Sequence, residues 1–289
     1  MRLVSIALLA GLAACSAPSA DSAGPAAPAI ALDCFREQGI AMLAAHRGGP
    51  APGYPENALS SLRRLDEMGV LYAEIDVRRS ADDVLFLLHD DTLDRTTTGT
   101  GSLDGLAWSD IAALRLRDPD GQVVEEGIPT LDDALALARE TGLVLNLDLK
   151  SVSPAEIVDI IHSHEARDAV AVIAYTVETA ATVHAADPGL LVSAPNDLTA
   201  LNDAGVNPQA IYIWTGVGAA DARADARLAA QGLESSAGLF PLETGEAGIY
   251  REAAAAGVEL LSVDDVDTAV AALGGADRLR AQIAQCTAD

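Results

Sequence analysis

Leu143-Val144-Leu145-Asn146-Leu147-Asp148-Leu149-Lys150 ends on the one lysine of a chain that carries seventeen arginines. Its length, apolar character and exit onto Ser151-Val152-Ser153-Pro154 read as a barrel strand that delivers polar groups to a site. Three other expected strand ends carry unusual polar groups: His46-Arg47-Gly48-Gly49, Glu74-Ile75-Asp76 and His89-Asp90. Together these ends offer two histidines, three carboxylates and two fixed cations. A random spread of charge would not repeatedly place such groups at strand ends, and the set suits metal-assisted cleavage of a phosphodiester.

Outward from that strand, short apolar runs alternate with Ala-rich helical patterns. Strands are expected at 41–46, 71–77, 143–149, 170–175, 190–194, 210–214, 237–240 and 259–263. Helices are expected between them, at 56–68, 131–140, 154–164, 178–186, 221–231 and 245–256. Eight strands, each followed by a helix, predict an α/β fold of the (β/α)₈ TIM-barrel type. One stretch, about 80–128, breaks the rhythm. It holds a hairpin at Val84–Leu88, the run Thr96-Thr97-Thr98-Gly99-Thr100-Gly101, a short helix near Trp108–Leu114 and a turn at Asp118–Gly121. It reads as an insertion between strand two and its helix, on the face where barrel loops form active sites, and so as a lid or specificity element.

The chain has 289 residues and 50% hydrophobic content, enough for a large core. Residues 1–14 read as a secretion signal: Arg2, the apolar run Leu3–Leu12, then Ala13-Ala14. The run is too short for a retained spanning helix. Leu12-Ala13-Ala14-Cys15 resembles a bacterial lipobox, which implies cleavage before Cys15 and a lipid on that cysteine; a plain signal peptide is the alternative. Ser16 follows, and by resemblance to Gram-negative lipoproteins the absence of Asp there places the anchor in the outer membrane, facing the periplasm. Residues 15–30, rich in Ser, Ala, Pro and Gly, read as a tether, with the folded domain at 31–289. The net charge of −25 argues against nucleic acid and against adsorption to anionic lipid, and it favours recruitment of divalent cations. Of the three cysteines, Cys34 and Cys286 remain after lipidation, at opposite ends of the folded part. They are either a disulfide in an oxidising compartment or two separate thiols.

Cleavage of a phosphodiester requires a cation on the phosphoryl oxygens, a base for the nucleophile and an acid for the leaving alkoxide. Glu74 and Asp76 are two apart on a strand, so both face the barrel interior, where unpaired carboxylates are costly unless they hold a metal. Asp148 supplies a third oxygen ligand, and an oxygen-only set suits Ca²⁺ or Mg²⁺. His46 and His89 can serve as acid and base. Arg47 offers a planar fork to phosphate and Lys150 a point charge. Gly48-Gly49 would let backbone approach the substrate. Asn57, in Tyr54-Pro55-Glu56-Asn57, either reaches the site as a substrate contact or caps the first helix. His162, His164 and His184 fall on expected helices and read as surface residues.

These blocks resemble the glycerophosphodiester phosphodiesterase family. The resemblance rests on Ala45-His46-Arg47-Gly48, Pro55-Glu56-Asn57, Glu74-Ile75-Asp76, the run from His89 to Gly101, Ile128-Pro129-Thr130-Leu131 and Asp148-Leu149-Lys150. It implies a TIM barrel with the insertion after strand two and a divalent metal on Glu74, Asp76 and Asp148. It also implies a His46/His89 acid–base pair, with His46 as base and His89 as leaving-group acid. Arg47 and Lys150 would hold the phosphate of a small glycerophosphodiester, which is cleaved to glycerol 3-phosphate and an alcohol. The family usually has Glu in place of Asp148. Its Trp-Thr-Val-Asn pattern on strand seven is here Leu239-Phe240-Pro241-Leu242-Glu243, and its closing Thr-Asp appears as Ser262-Val263-Asp264-Asp265. These departures bear on the alcohol side of the substrate. Two alternatives stand beside this reading. One is action on a lysophospholipid or other phosphodiester, with Phe86 and Trp108 as either an apolar lip or core. The other is a barrel that binds a phosphorylated ligand without turnover.

Overall fold

The computed structural model describes residues 24–287. The expected signal peptide (1–14), the lipidation site Cys15 and most of the expected tether lie outside the described residues. Among the described residues, no helix is long and apolar enough to cross a membrane.

The strands are β1 (Met42–Ala45), β2 (Tyr72–Arg79), β3 (Leu85–Leu87), β4 (Val144–Leu149), β5 (Val170–Ile173), β6 (Val192–Pro195), β7 (Ile211–Val217), β8 (Glu234–Gly238) and β9 (Leu260–Val263). The helices are α1 (Ala27–Gln38), α2 (Leu59–Glu67), α3 (Trp108–Ile111), α4 (Leu131–Thr141), α5 (Pro154–Ser163), α6 (Val177–Ala186), α7 (Leu198–Asp203), α8 (Ala222–Ala229), α9 (Gly248–Ala256), α10 (Val266–Ala272) and α11 (Ala276–Thr287). Every strand but β3 pairs in parallel with its neighbours, and β1 closes the ring against both β2 and β9. The expected TIM barrel is present.

Register sets the interior. Glu74 lies beside Asn146, and Asp76 beside Asp148. Neighbours at one level of a sheet share a face, so all four point into the barrel. Around the ring, Ile173 pairs with Ser193, Ser193 with Tyr212, Trp214 with Ser236 and Gly238 with Ser262. Barrel interiors are usually filled by branched apolar side chains. Here serines at 193, 236 and 262 leave space, and a cavity of about 330 Å³ opens beside the carboxylates.

The insertion follows β2. Its strand β3 runs antiparallel to β2 (Val77 opposite Leu87), and Phe86, Leu88, Leu93, Ile111, Leu116 and Ile128 form a small core of their own. Phe86 is buried, and its ring centroid is 5.7 Å from that of Trp108. These two residues are therefore packing for the insertion, not the apolar lip they resembled in sequence.

Residues 27–30 also depart from expectation, because they are helix rather than tether. Ala is the strongest helix former and Pro is tolerated in a first turn, so a composition that reads as linker also starts α1. The Ala26 N–H donates to Gly189 O at 2.8 Å, the Ala27 N–H donates to Asp168 Oδ1 at 2.8 Å, and Pro28 and Ala29 are buried. Helix α1 covers the amino-terminal end of the barrel with Leu32 and Phe35, and Arg36 Nε donates to Glu234 Oε1 at 2.6 Å.

Cys34 on α1 and Cys286 on α11 are disulfide-bonded, with Cα atoms 5.5 Å apart and 252 residues between them in sequence. A crosslink over so long a loop removes much chain entropy from the unfolded state, typically about 2–5 kcal/mol. The pair Cys34→Ser/Cys286→Ser is expected to lower the unfolding free energy from urea titration by that amount. Reduction of the wild type by dithiothreitol should do the same, and reductant should not move the double variant.

Candidate active site

The barrel's carboxyl-end face assembles groups from several strands and the segments that follow them. After β1 the chain makes one tight turn, His46–Gly48, in which Arg47, Gly48 and Gly49 have φ of 51°, 75° and 69°. A Cβ at Gly49 would meet Leu65 Cδ2 at 2.9 Å and Val266 Cγ2 at 3.1 Å, so this glycine serves close packing of α2 and α10. The left-handed Arg47 turns its N–H to Glu74 Oε2 at 2.7 Å. Strain of this kind, at a residue with a Cβ, marks a conformation imposed by its surroundings.

Asn57, also left-handed at φ 54°, neither caps a helix nor presents a free group to substrate. Helix α2 starts two residues later, after Ala58. The Asn57 Nδ2 donates to Asp76 Oδ2 at 2.7 Å, and its Oδ1 accepts the Asp76 N–H at 2.9 Å. Both ends of the amide are spent on Asp76, which corrects the substrate-contact assignment. Asn57 is buried and fixes the orientation of that carboxylate.

Oxygens of Glu74, Asp76 and Asp148 lie within 4.8 Å of one another. Asp148 Oδ2 accepts from Lys150 Nζ at 2.6 Å and from Tyr175 Oη at 2.7 Å. Lys150 Nζ also sits 3.1 Å from Asp76 Oδ1. Asp76 Oδ1 and Asp148 Oδ1 are both buried without an aligned hydrogen-bond donor. Burial, and then the Asp76 charge, push the Glu74 carboxyl well above the usual range. Burial works against the Lys150 ammonium, but Asp148 and Asp76 outweigh it and its pKa is raised. Three carboxylates against one ammonium are costly out of water, so the two unpartnered oxygens suit a divalent cation.

Lys150 thus donates to Asp148 and sits within ion-pair reach of Asp76, with ammonium protons left for a substrate oxygen. A guanidinium cannot place a single donor atom between both acids. Lys150→Arg is expected to lower kcat by about 10- to 100-fold while melting near the wild-type temperature. Wild-type kcat in that variant would remove Lys150 from the site's working parts.

The two histidines share one design. His46 Nδ1 is 2.7 Å from Asp264 Oδ1, and His89 Nδ1 is 2.7 Å from Asp90 Oδ1. A carboxylate only accepts, so each Nδ1 carries the proton and each Nε2 is the free nitrogen. His46 Nε2 is 4.0 Å from Glu74 Oε2, and its ring stacks on Phe240 at 4.6 Å between centroids. Phe240 belongs to the segment that departs from the family's strand-seven pattern. Glu243 of the same segment accepts the N–H groups of Asp264 (2.8 Å) and Asp265 (3.2 Å), which steadies the loop carrying the His46 partner. His89 is set by Arg78, whose Nη2 donates to His89 O at 2.5 Å.

His46, Glu74 and Asp148 border the 330 Å³ cavity, whose other walls include Ile173, Tyr175, Trp214, Val217 and Phe240. His89, on the insertion, is not among the residues that line this cavity. Among the remaining histidines, His184 is buried, not a surface residue: its Nδ1 accepts the Asn207 N–H and its Nε2–H donates to Leu190 O, both at 3.0 Å. Tyr175 and Asp264 were missed as functional residues. Each follows a barrel strand directly, which is the signal that singled out His46 and Asp148.

A model of the glycerophosphoryl diester phosphodiesterase family matches residues 46–193, just over half the chain. The chain belongs to this family. The match holds every residue of the carboxylate cluster, both histidines and the insertion, while Phe240, Glu243 and Asp264 lie beyond it. Among similar proteins of the family, human glycerophosphodiester phosphodiesterase 1 is 33% identical over 145 residues, 48% of this chain and 40% of the human protein. A glycerophosphodiester phosphodiesterase from Caldanaerobacter subterraneus is 32% identical over 111 residues, 38% of this chain and 45% of that one. The chain spans about two-fifths of the length of the curated relatives it matches. Among solved structures, a glycerophosphoryl diester phosphodiesterase from Parabacteroides distasonis superposes with a TM-score of 0.80 at 27% identity, covering 86% of this chain and 91% of its own. An Oleispira antarctica phosphodiesterase, solved in complex with the product sn-glycerol-3-phosphate, shares the fold at a TM-score of 0.65 and 22% identity, over 82% of this chain and 98% of that one.

Proposed function

We propose that this family member hydrolyses glycerophosphodiesters to glycerol 3-phosphate and an alcohol, using a divalent metal on Glu74, Asp76 and Asp148. The observation that carries the reading is the pair of buried, unpartnered oxygens of Asp76 and Asp148, in a site whose two histidines each keep Nε2 free of a hydrogen bond. A divalent cation there would neutralise charge on the phosphoryl oxygens. The donor set is all oxygen, which suits Ca²⁺ or Mg²⁺.

The chain's own groups divide the remaining work. Arg47 Nε is buried with no partner, which leaves it available as a donor to the phosphate. The glycerol enters the cavity bordered by His46, and His46 Nε2 takes the proton of the attacking hydroxyl. That hydroxyl is the glycerol 2-OH, whose attack displaces the alcohol and gives a cyclic phosphate; a water then opens the ring, giving its proton to the now neutral His89 while the 2-oxygen regains one from His46. The alcohol leaves toward the insertion, where His89 gives it a proton. The Asp264 and Asp90 carboxylates hold each ring in the tautomer these roles require and stabilise the imidazolium form.

The cavity rim favours a second reading. Tyr175 and Val217 are 70% and 58% exposed beside Trp214 and Phe240. A glycerol bearing one acyl chain could lay that chain along this rim, so lysophospholipid is the competing substrate. The test is glycerol 3-phosphate release by the purified protein from glycerophosphocholine and glycerophosphoethanolamine, beside choline release from lysophosphatidylcholine. Faster turnover of the deacylated esters supports the first reading, and a reversed order supports the second. No turnover of any of the three, by folded protein with Ca²⁺ or Mg²⁺ present, leaves the non-catalytic phospho-ligand barrel.

A further inference from the structure

Arg95 lies in the insertion, and its guanidinium joins two carboxylates from different parts of the chain. Nη1 and Nη2 donate to Glu56 Oε2 and Oε1 at 2.6 and 2.8 Å. Nε and Nη2 donate to Asp90 Oδ2 and Oδ1 at 2.7 and 2.9 Å. Each carboxylate then reaches one working residue. Asp90 Oδ1 accepts the His89 Nδ1–H at 2.7 Å, and Glu56 Oε2 accepts from Arg47 Nη1 at 3.4 Å. A continuous run of charged contacts therefore connects His89, Asp90, Arg95, Glu56 and Arg47.

We propose that Arg95 is a positioning residue, holding the His89 imidazole and the Arg47 guanidinium in one fixed geometry on either side of the substrate phosphate. The roles of His89 and Arg47 rest on the phosphodiesterase reading above. The geometry of the link stands apart from it. Paired N–H donors on a planar fork fix direction as well as distance, which a point charge cannot do. Glu56 is 8% exposed, and without Arg95 its strongest contacts vanish. Arg47 is then the nearest cation, and it would turn from the phosphate to the buried carboxylate. Asp90 would lose two of its three side-chain hydrogen bonds, and the His89 ring would lose its orientation with them. Because Arg95 and Asp90 sit in the insertion and Glu56 sits before α2, the same contacts clasp the insertion to the barrel.

The test compares wild type with Arg95→Gln, Arg95→Lys, Glu56→Gln and the double variant Arg95→Gln/Glu56→Gln. Three readouts are taken: kcat and KM on glycerophosphocholine, glycerol 3-phosphate affinity by calorimetry, and the downfield His89 Nδ1 proton by NMR. Arg95→Gln is expected to lower kcat about 100-fold, to weaken product binding about tenfold and to lose the downfield proton, with far-UV circular dichroism unchanged. Arg95→Lys should restore neither rate nor affinity. The double variant should be no worse than Arg95→Gln, because both changes cut one link. A strut with no positioning role would lower the melting temperature and leave kcat, affinity and the proton resonance alone. That outcome, full rescue by lysine, or losses that multiply in the double variant would each overturn the assignment. If the wild type turns over no glycerophosphodiester, the functional reading fails. The NMR signal still decides whether Arg95 orders His89: its persistence in Arg95→Gln refutes the link, and its loss upholds it.

Discussion

Protein stripped with EDTA is expected to release glycerol 3-phosphate at less than about one-thousandth of its metal-replete rate, and Ca²⁺ or Mg²⁺ should restore it. The magnitude follows from what the site lacks on its own. Among the described residues, Lys150 is the cation at this cluster: it donates to Asp148 and lies 3.1 Å from Asp76. A phosphodiester brought beside this cluster without further positive charge meets net repulsion. Glu74→Ala removes one donor and the acceptor of the Arg47 N–H, so it should lose as much activity as EDTA treatment does. A second readout separates metal binding from catalysis. A cation that binds only the folded state stabilises it by about 2.7 kcal/mol at a hundredfold excess over Kd. The wild-type melting temperature should therefore rise with added metal, and that of Glu74→Ala should rise much less. Full activity in EDTA, or a melting temperature indifferent to metal in the wild type, would remove the cluster from the chemistry.

The barrel was legible because parallel strands buried on both faces read as unbroken apolar runs, as at Leu143–Leu149. Where a strand turns polar side chains into the cavity, that signal fails. Strand β8 begins at Glu234, three residues before the apolar cue, because Glu234-Ser235-Ser236 has a loop's composition. Its polar groups are satisfied by distant partners: Glu234 by Arg36, and the Ser235 N–H by Glu259 Oε2 at 2.7 Å. The site shows the same division. Glu74, Asp76, Asp148, Lys150 and the two histidines announce themselves by type and place at strand ends. The contacts that orient them do not. Asn57 reaches Asp76 through a left-handed backbone that no local pattern encodes, Tyr175 reaches Asp148 across a strand, and Asp264 reaches His46 over 218 residues. His184 shows the converse error. A histidine on a helix reads as surface until an inward turn gives both ring nitrogens backbone partners.

His46→Ala and His89→Ala should each cost about 10²–10⁴-fold in kcat on glycerophosphocholine, the usual range for a lost general acid or base. Equal losses would say nothing about which ring does what. A leaving group that needs no proton separates them. Glycerophospho-p-nitrophenol departs as a stable phenolate, so an acid contributes little to its cleavage, while the attacking hydroxyl still needs a base. On that ester His89→Ala is expected to recover most of its deficit, and His46→Ala to recover none. The reasoning comes from position: His46 borders the cavity that would receive the glycerol, and His89 stands on the insertion side. The carboxylate partners extend the argument. Arg95, then burial and the His89 contact, act on Asp90, and the net effect holds its carboxyl well below the usual carboxylate range. Asp90 therefore stays ionised across the working pH and keeps accepting the His89 Nδ1–H, which leaves Nε2 turned to the leaving oxygen. Recovery by His46→Ala instead of His89→Ala would reverse the two roles while keeping the pair. Recovery by neither would mean that His89 acts on something other than the leaving oxygen.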